Sequence, residues 1–250
     1  MNHSSVALVT GANQGIGLQI AKDLAAHGLT VLVGSRDFEK GKAAAESVGP
    51  DAHALQLDVT DPESISQAAA RIQREFGRLD VLVNNAGIVH GGGPGMSLEE
   101  MIESERPSQV TMQNLRQVFE TNVFGVVAVT QAMLPLLQQA PAGRVVNVSS
   151  TMGSLTMIAD PDFSYRSIVG AAYGPSKSAL NAITIAFAIE LESTSIKVNG
   201  VCPGYTATAL NHFQGRRSVE QAAREPVRLA LLDADGPTGT FSNEDGPLPW

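Results

Sequence analysis

The sequence predicts an α/β protein: a doubly wound, largely parallel sheet with helices on both faces, in one domain over residues 1–250. Three observations carry that expectation. Short aliphatic and β-branched runs alternate with amphipathic stretches along the whole chain, the β-α-β rhythm of a parallel sheet. The first run, Val6-Ala-Leu-Val9, passes through the glycine-rich turn Thr10-Gly-Ala-Asn-Gln-Gly-Ile-Gly17 into a helical pattern, the start of a phosphate-binding fold. Hydrophobic residues make up 43% of the chain and charged residues 17%, which supports a sizeable core and argues against disorder. The sequence shows no internal repeat and no interdomain linker.

Taken in order, each element has a local reason. In the first turn, Gly11 allows a sharp bend, Gly15 lets backbone approach a pyrophosphate, and Gly17 allows close packing at the helix start. The spacing is G-x-x-x-G-x-G rather than the commoner G-x-G-x-x-G. The helix that follows runs through Ile20, Leu24 and Ala25 to a C-cap glycine, Gly28. Residues 30–34 form the second strand, ending in Ser35-Arg36-Asp37. At this strand end an acidic side chain suits the ribose 2′-hydroxyl of NAD, and an arginine suits the 2′-phosphate of NADP. Ser35 followed by Arg36 points to NADP(H), with Asp37 as N-cap of the next helix. The rival reading has Asp37 on the ribose and NAD(H) as cofactor.

Residues 52–57 make the third strand, with Asp58-Val59 at the C-terminal end, where open α/β sheets bind ligands. Asp61 caps the next helix and Pro62 opens it. The fourth strand, 79–84, runs into Asn85-Ala86-Gly87, small turn-tolerant residues against which a flat ring can lie. Residues 88–110 form a long polar, glycine-rich connection holding a short helix capped by Ser97-x-x-Glu100. A long helix is expected from about 111 to 137. It carries Asn122, an anomaly in an apolar helix because asparagine competes for backbone bonds. Residues 143–150 are the fifth strand, ending in Ser149-Ser150, and 151–172 read as irregular. Another helix starts at Tyr173. The sixth strand, 196–202, ends in Pro203-Gly204. Ser218-x-x-Gln221 caps a helix through 232, and Thr240-Phe241 begin a seventh strand before a polar tail.

Composition excludes several classes. A net charge of −8 argues against nucleic-acid and anionic-membrane partners, which need a basic face. The longest apolar run, 123–137, is interrupted by Thr130, Gln131 and Pro135 and is too short to span a bilayer. Cys202 is the one cysteine and the five histidines are scattered, so neither an internal disulfide nor a metal site is expected. With no room for a signal peptide before Val6, the expected compartment is the reducing cytoplasm.

Tyr173-Gly-Pro-Ser-Lys177 carries the chemistry. A tyrosine and a lysine four apart share a helix face, and Pro175 places them at the helix start. A neighbouring ammonium and the helix dipole both favour phenolate. The expectation is a phenol with its pKa lowered toward neutrality, suited to general acid–base work. The bland alternative is a surface tyrosine packed on a lysine stem.

In their order, the Thr10–Gly17 turn, Asp58-Val59, Asn84-Asn-Ala-Gly87, Asn122, Ser149-Ser150, Tyr173…Lys177 and Pro203-Gly204…Thr208 resemble the short-chain dehydrogenase/reductase family. Within it, the chain is most similar to the NADPH-dependent carbonyl reductases. The resemblance covers residues 6–242. It implies a Rossmann-type sheet of about seven strands in the order 3-2-1-4-5-6-7, and reversible NADPH-dependent reduction of an aldehyde or ketone to an alcohol. It also implies roles. Ser150 binds the carbonyl oxygen, Tyr173 is the general acid, Lys177 tunes it and holds the nicotinamide ribose, and Asn122 holds a relay water. Gly11, Asn13, Gln14, Gly15, Ile16 and Gly17 meet the phosphates. Ser35 and Arg36 meet the adenosine ribose, Asp58 and Val59 flank adenine, and Asn85, Ala86 and Gly87 line the cofactor. Pro203, Gly204, Thr206 and Thr208 lie on its carboxamide side.

Two segments depart from compact family members: the connection near 88–110 and the stretch 151–172. With a loop near 205–217 they would border the substrate. They contain Met96, Met152, Met157, Phe163, Tyr165, Tyr205 and Phe213. Two readings stand: a largely apolar pocket for a bulky carbonyl compound, or side chains that pack the segments together. The segment before Tyr173 also leans the reading toward a monomer, since it would cover a face used for assembly in compact members. The alternative in another class is an NAD(P)-binding sensor without turnover. The presence of Asn122, Ser150, Tyr173 and Lys177 together argues for the enzyme.

Overall fold

The computed structural model describes residues 5–91 and 96–250. Seven parallel strands make the sheet: β1 (Val6–Val9), β2 (Thr30–Ser35), β3 (Ala52–Gln56), β4 (Val81–Asn84), β5 (Arg144–Val148), β6 (Lys197–Val201) and β7 (Phe241–Asn243). An eighth, β8 (Gly246–Pro247), returns antiparallel to β7 and completes the order β3-β2-β1-β4-β5-β6-β7-β8. The expected order holds for seven strands, and the stretch read as a polar tail supplies the eighth. The reason is aromatic: Trp250 stacks on buried Phe241 with centroids 5.4 Å apart, and Leu248 N donates to Phe241 O (2.8 Å).

Nine helices accompany the sheet: α1 (Gly15–Ala26), α2 (Phe38–Val48), α3 (Pro62–Glu75), α4 (Leu98–Ser104), α5 (Met112–Phe119), α6 (Gly125–Leu137), α7 (Leu155–Ala159), α8 (Tyr173–Glu190) and α9 (Val219–Ala230) among the described residues. Strand side chains alternate between faces, so two cores form. Val6 and Leu8 point into one, with Ile65 and Ile72 of α3, Val129 and Met133 of α6, and Phe187 of α8. Ala7 and Val9 point into the other, with Ile20 and Leu24 of α1, Ala45 of α2, and Ala223 and Val227 of α9. The caps expected from sequence form as read: Asp37 accepts from Lys40 N, Asp61 from Glu63 N, and Ser97–Glu100 and Ser218–Gln221 make capping boxes.

Two expectations need correction. The helix expected over 111–137 is interrupted by a π-helical segment, Glu120–Phe124, that joins α5 to α6 around Asn122. One wide turn of this kind re-aims the side chains inside a helix. The combined helix, Met112–Leu137, contains an 18-residue stretch with a mean hydropathy of 1.3 and is long and apolar enough to cross a membrane by length and composition. Here it is a layer of the fold: Val118, Asn122, Val129, Thr130, Met133 and Leu137 are buried. Residues 151–172, read as irregular, contain α7 and two 3₁₀ turns, Thr151–Gly153 and Arg166–Ile168. Ser150 and Ser154 cap the first two of these elements. Residues 92–95 of the 88–110 connection lie outside the described residues.

A buried polar ladder ties the central strands to two helices. Asn84 Nδ2 in β4 donates to Asn147 Oδ1 in β5 (2.9 Å) and to Thr130 Oγ1 in α6 (3.1 Å). Asn147 Nδ2 donates to Thr184 Oγ1 in α8 (2.9 Å), which donates on to Leu180 O (2.8 Å). Replacing Asn147 by alanine removes one hydrogen bond from each of two buried partners, Asn84 and Thr184, and opens a cavity, an expected loss of about 2–4 kcal/mol. In a chain of this size that lowers the thermal midpoint by about 10 °C, measurable by circular dichroism melting. An unchanged midpoint would show the ladder to be dispensable.

Candidate active site

The ends of β1, β4 and β5 and the starts of α1 and α8 bring most of the predicted residues together. The glycine turn after β1 is built on two left-handed residues, Gly11 (φ 62°) and Gly15 (φ 60°), a conformation costly for other side chains. A Cβ on Gly11 would lie 2.9 Å from Ala86 Cα, and one on Gly17 would lie 2.4 Å from Asn85 Nδ2. The turn after β1 is therefore in close contact with the turn after β4. Thr10 Oγ1 accepts from Asn85 N (3.0 Å) and Ala86 N (2.9 Å), and Asn85 Nδ2 donates to Thr10 O and Gly11 O. Sequence reasoning gave Gly17 to helix packing and Asn85 to the cofactor; here each makes room for or braces the other.

The residues fit a dinucleotide phosphate. Gln14, the N-cap of α1, makes no side-chain cap bond, so first-turn donors of α1 are left for an anion. Asn13, Gln14 and Ile16 sit on this rim, half-buried or exposed. Thr208 reaches it from the other side: its Cγ2 would lie 3.6 Å from a Cβ on Gly15. At the end of β2, Ser35 is buried and its hydroxyl donates to Asp37 O (2.8 Å). The Asp37 carboxylate accepts from Lys40 N (3.1 Å) as a helix cap, while Arg36 is exposed and makes no ion pair among the described residues. At the end of β3, Asp58 Oδ1 accepts from Thr60 N and Thr60 Oγ1. Val59 O lies against α6, where a Cβ on Gly125 would meet it at 2.7 Å.

The four candidate catalytic residues surround the end of β5. Lys177 is buried and its Nζ donates to Val148 O (2.8 Å), 5.7 Å from the centre of the Tyr173 ring. A Cβ on Gly87 would lie 3.5 Å from Lys177 Nζ and 3.2 Å from Asn122 Oδ1, so the turn after β4 closes over both. The serine pair divides its work. Ser149 is buried and its hydroxyl donates to Asn181 Oδ1 (2.6 Å). Ser150 is partly open, accepts from Met152 N (3.2 Å), and its hydroxyl favours the ionised form of the Tyr173 phenol. Asn122 is occupied at both ends: Oδ1 accepts from Ile88 N (2.8 Å), and Nδ2 donates to Ile88 O (2.8 Å) and Ser176 Oγ (3.0 Å). Those bonds account for a polar side chain in an apolar helix. Ile88, Ser176 and Asn181 were not legible as site residues, because these partners lie 28 or more positions away.

The loop after β6 folds on itself. Thr206 is buried with its hydroxyl donating to Gly204 O (3.1 Å), and Ala207 N donates to Arg217 O (2.9 Å). Thr206 is thus spent on the turn, Gly204 lies against the Arg217 side chain, and Thr208 approaches Gly15. The aromatic side chains of the added segments form a row, Phe163 on Tyr165 and Tyr165 on Tyr205, each pair 5.7 Å apart. This row joins residues 151–172 to the loop, so packing accounts for Tyr165 and Tyr205. Phe213, in a left-handed conformation (φ 60°) and 69% exposed, has no such partner among the described residues.

Electrostatics departs from expectation. The Tyr173 phenol is pushed up to about 12 by burial, with the Ser150 hydroxyl pulling the other way. Burial also pushes the Lys177 ammonium down to about 8. Removal of the charge's hydration outweighs the attraction a cation offers a phenolate. The result is a phenol that holds its proton at neutral pH, as a proton donor must.

Lys177 binds fewer protons folded than unfolded between about 8 and its ordinary 10.5. Its contribution to stability is complete above 10.5 and is lost as pH falls through about 8. Urea unfolding of the wild type should therefore gain up to about 3 kcal/mol over Lys177→Met across that window. Parallel stability profiles for the two proteins would contradict the burial argument.

Residues 5–218 match the short chain dehydrogenase family. Short-chain dehydrogenase/reductase 1 of Saponaria officinalis is 36% identical over 293 residues, covering 98% of this chain and 95% of its own. The structure of salutaridine reductase from Papaver somniferum superposes with a TM-score of 0.79 at 33% identity, over 95% of this chain and 99% of that one. NADPH-bound carbonyl reductase from chicken fatty liver gives a TM-score of 0.81 at 25% identity, over 99% and 100% of the two chains. Fold, motif order and relatives agree that this chain belongs to the short-chain dehydrogenase/reductase family.

Proposed function

We propose that the protein reduces an aldehyde or ketone to an alcohol with NADPH, reversibly. The observation that carries this reading is the placement of a protonated phenol, a serine hydroxyl and a buried lysine at one strand end, beside an uncapped helix N-terminus. NADPH, when bound, supplies a hydride to the carbonyl carbon. Negative charge then develops on the carbonyl oxygen. Ser150 donates a hydrogen bond to that oxygen, and Tyr173 O–H gives it a proton. Lys177, close beside the ring, stabilises the phenolate left behind and supports its reprotonation. Asn122 belongs to the same relay, a role supported by the shared approach of its Oδ1 and Lys177 Nζ to Gly87.

NADP(H) is favoured by Arg36, exposed and without an ion pair among the described residues at the end of β2, and by Asp37, whose carboxylate is committed to capping α2. The similarity to an NADPH-bound carbonyl reductase supports the same choice. The substrate is read as an apolar carbonyl compound, supported by half-buried Met152 beside Ser150, half-buried Met157 on α7 and exposed Phe213. A buried Cys202 with a free thiol fits the reducing cytoplasm.

Tyr173→Phe should lower turnover by about a thousandfold while NADPH affinity, followed by fluorescence titration, stays close to wild type. Wild-type-like turnover in this variant would remove Tyr173 as the donor. Arg36→Ala should weaken NADPH by about 10- to 100-fold, the worth of a charge-assisted phosphate contact, and leave NADH nearly unchanged. An equal loss for both cofactors would show that Arg36 does not read the 2′-phosphate.

A further inference from the structure

The helix that carries Tyr173 and Lys177 cannot cap itself. Its N-cap position is Ala172, which has no side-chain acceptor, and its third residue is Pro175, which has no N–H. Helix starts leave up to four N–H groups without partners. In α8 these are met from a distant part of the chain. Glu105, at the end of α4 in the connection after β4, is 5% exposed. Its Oε2 accepts from both Ala172 N and Tyr173 N (3.1 Å each), and its backbone carbonyl accepts from Ala171 N (2.7 Å). Three consecutive amides leading into the helix therefore bind one residue. Gly170 makes the approach feasible, since a Cβ there would lie 2.5 Å from Glu105 Cβ.

The other carboxylate oxygen is held in turn. Glu105 Oε1 accepts from Asn114 Nδ2 (2.7 Å), and Asn114 Oδ1 accepts from Gly91 N (2.7 Å). Asn114, on α5, is itself buried. All these partners of the Glu105 carboxylate are N–H donors, so both oxygens act as acceptors, and a carboxylate at a helix N-terminus also meets the positive end of the helix dipole. The chain Gly91–Asn114–Glu105–Tyr173 runs from the turn after β4 to the first turn of α8. The two segments that set this protein apart from compact relatives, 88–110 and 151–172, meet at this carboxylate.

We propose that Glu105 is a positioning residue for the reaction: its carboxylate, oriented by Asn114, fixes the first turn of α8 and with it the Tyr173 phenol relative to Ser150 and Lys177. The inference rests on the reductase reading above, and it gives the added segments a task besides bordering the substrate. Glu105 touches neither substrate nor cofactor. It acts through the backbone of the residue that does the chemistry, where a displacement of about 1 Å is worth about 100-fold in rate.

Its test is a hydrogen-bond swap. In Glu105→Gln an amide N–H₂ replaces one oxygen, and two donors face each other at Asn114. In the double variant Glu105→Gln/Asn114→Asp, the new amide keeps its oxygen as acceptor toward α8 and turns its N–H₂ toward the new carboxylate on α5. That carboxylate accepts from the amide and from Gly91 N at once. The charge has moved and the bonding pattern is restored. Glu105→Ala and Glu105→Gln should lower kcat by about 10- to 100-fold with the KM for NADPH within about twofold of wild type. The double variant should recover kcat to within about threefold. Ultraviolet titration of the Tyr173 phenol, assigned by difference from Tyr173→Phe, needs no turnover. It should fall below the wild-type value in Glu105→Ala, as water enters the loosened turn. Wild-type kcat and phenol titration in the single variants would overturn the proposal. So would a double variant with a wild-type melting curve and kcat no better than Glu105→Gln. If the wild type reduces no carbonyl compound, the reductase reading fails, while the phenol titration still decides whether Glu105 holds the turn.

Discussion

Two asparagines side by side in the centre of the sheet, Asn84 and Asn147, set where the working helices lie. A buried amide without a partner costs several times what a formed hydrogen bond returns. Each asparagine has one neighbour in the next strand and one outside the sheet, Thr130 on α6 and Thr184 on α8. Those bonds hold both helices at a defined height over β4 and β5. Asn122 and Lys177 stand about two helical turns upstream of Thr130 and Thr184, on the same faces. Anchoring the threonines therefore delivers Asn122 and Lys177 to the strand ends, where the turn after β4 closes over both. The π-helical turn around Asn122 makes the final adjustment on α6.

The site is built from shared occupancy. Thr10 and Asn85 bond the two turns that would line the cofactor, and Ser149 and Asn181 hold the start of the segment after β5 against α8. Ser150 is left partly open because Ser149 is already used. Arg36 is left at the end of β2 because Asp37 is committed to α2. In both pairs, neighbours are separated by which of them the fold has employed. The aromatic row Phe163–Tyr165–Tyr205 follows the same logic and joins residues 151–172 to the loop after β6.

Much of the fold and half of the site geometry were legible in the chain. The caps at Asp37, Asp61, Ser97 and Ser218 and the pairing of Tyr173 with Lys177 rest on spacing within a few residues, and the strand order is what the family resemblance carried by the order of motifs implies. The π-helical turn and α7 were not, since each depends on a partner far along the chain, Ile88 for Asn122 and Trp250 O for Thr156; the eighth strand was not because it depends on how Trp250 packs on Phe241, which no short-range pattern marks. The phenol was misjudged for a related reason. Charges can be counted along a sequence, whereas burial, which pushes Tyr173 up to about 12, depends on what packs over it.

By itself the sequence determined an α/β sheet, a phosphate-binding turn, a NADP-type strand end and a Tyr–Lys pair at a helix start. These are consequences of residue type and short-range spacing, which any fold of this chain must respect. Only the tertiary structure decided that Ser149 is spent on Asn181, that Lys177 is held by Val148 O, and that Glu105 caps the helix of Tyr173 from 67 positions away. A hydrogen bond between distant segments leaves no periodic trace in a sequence. It exists because folding brings unpaired amides and a buried carboxylate together, where neither is stable alone.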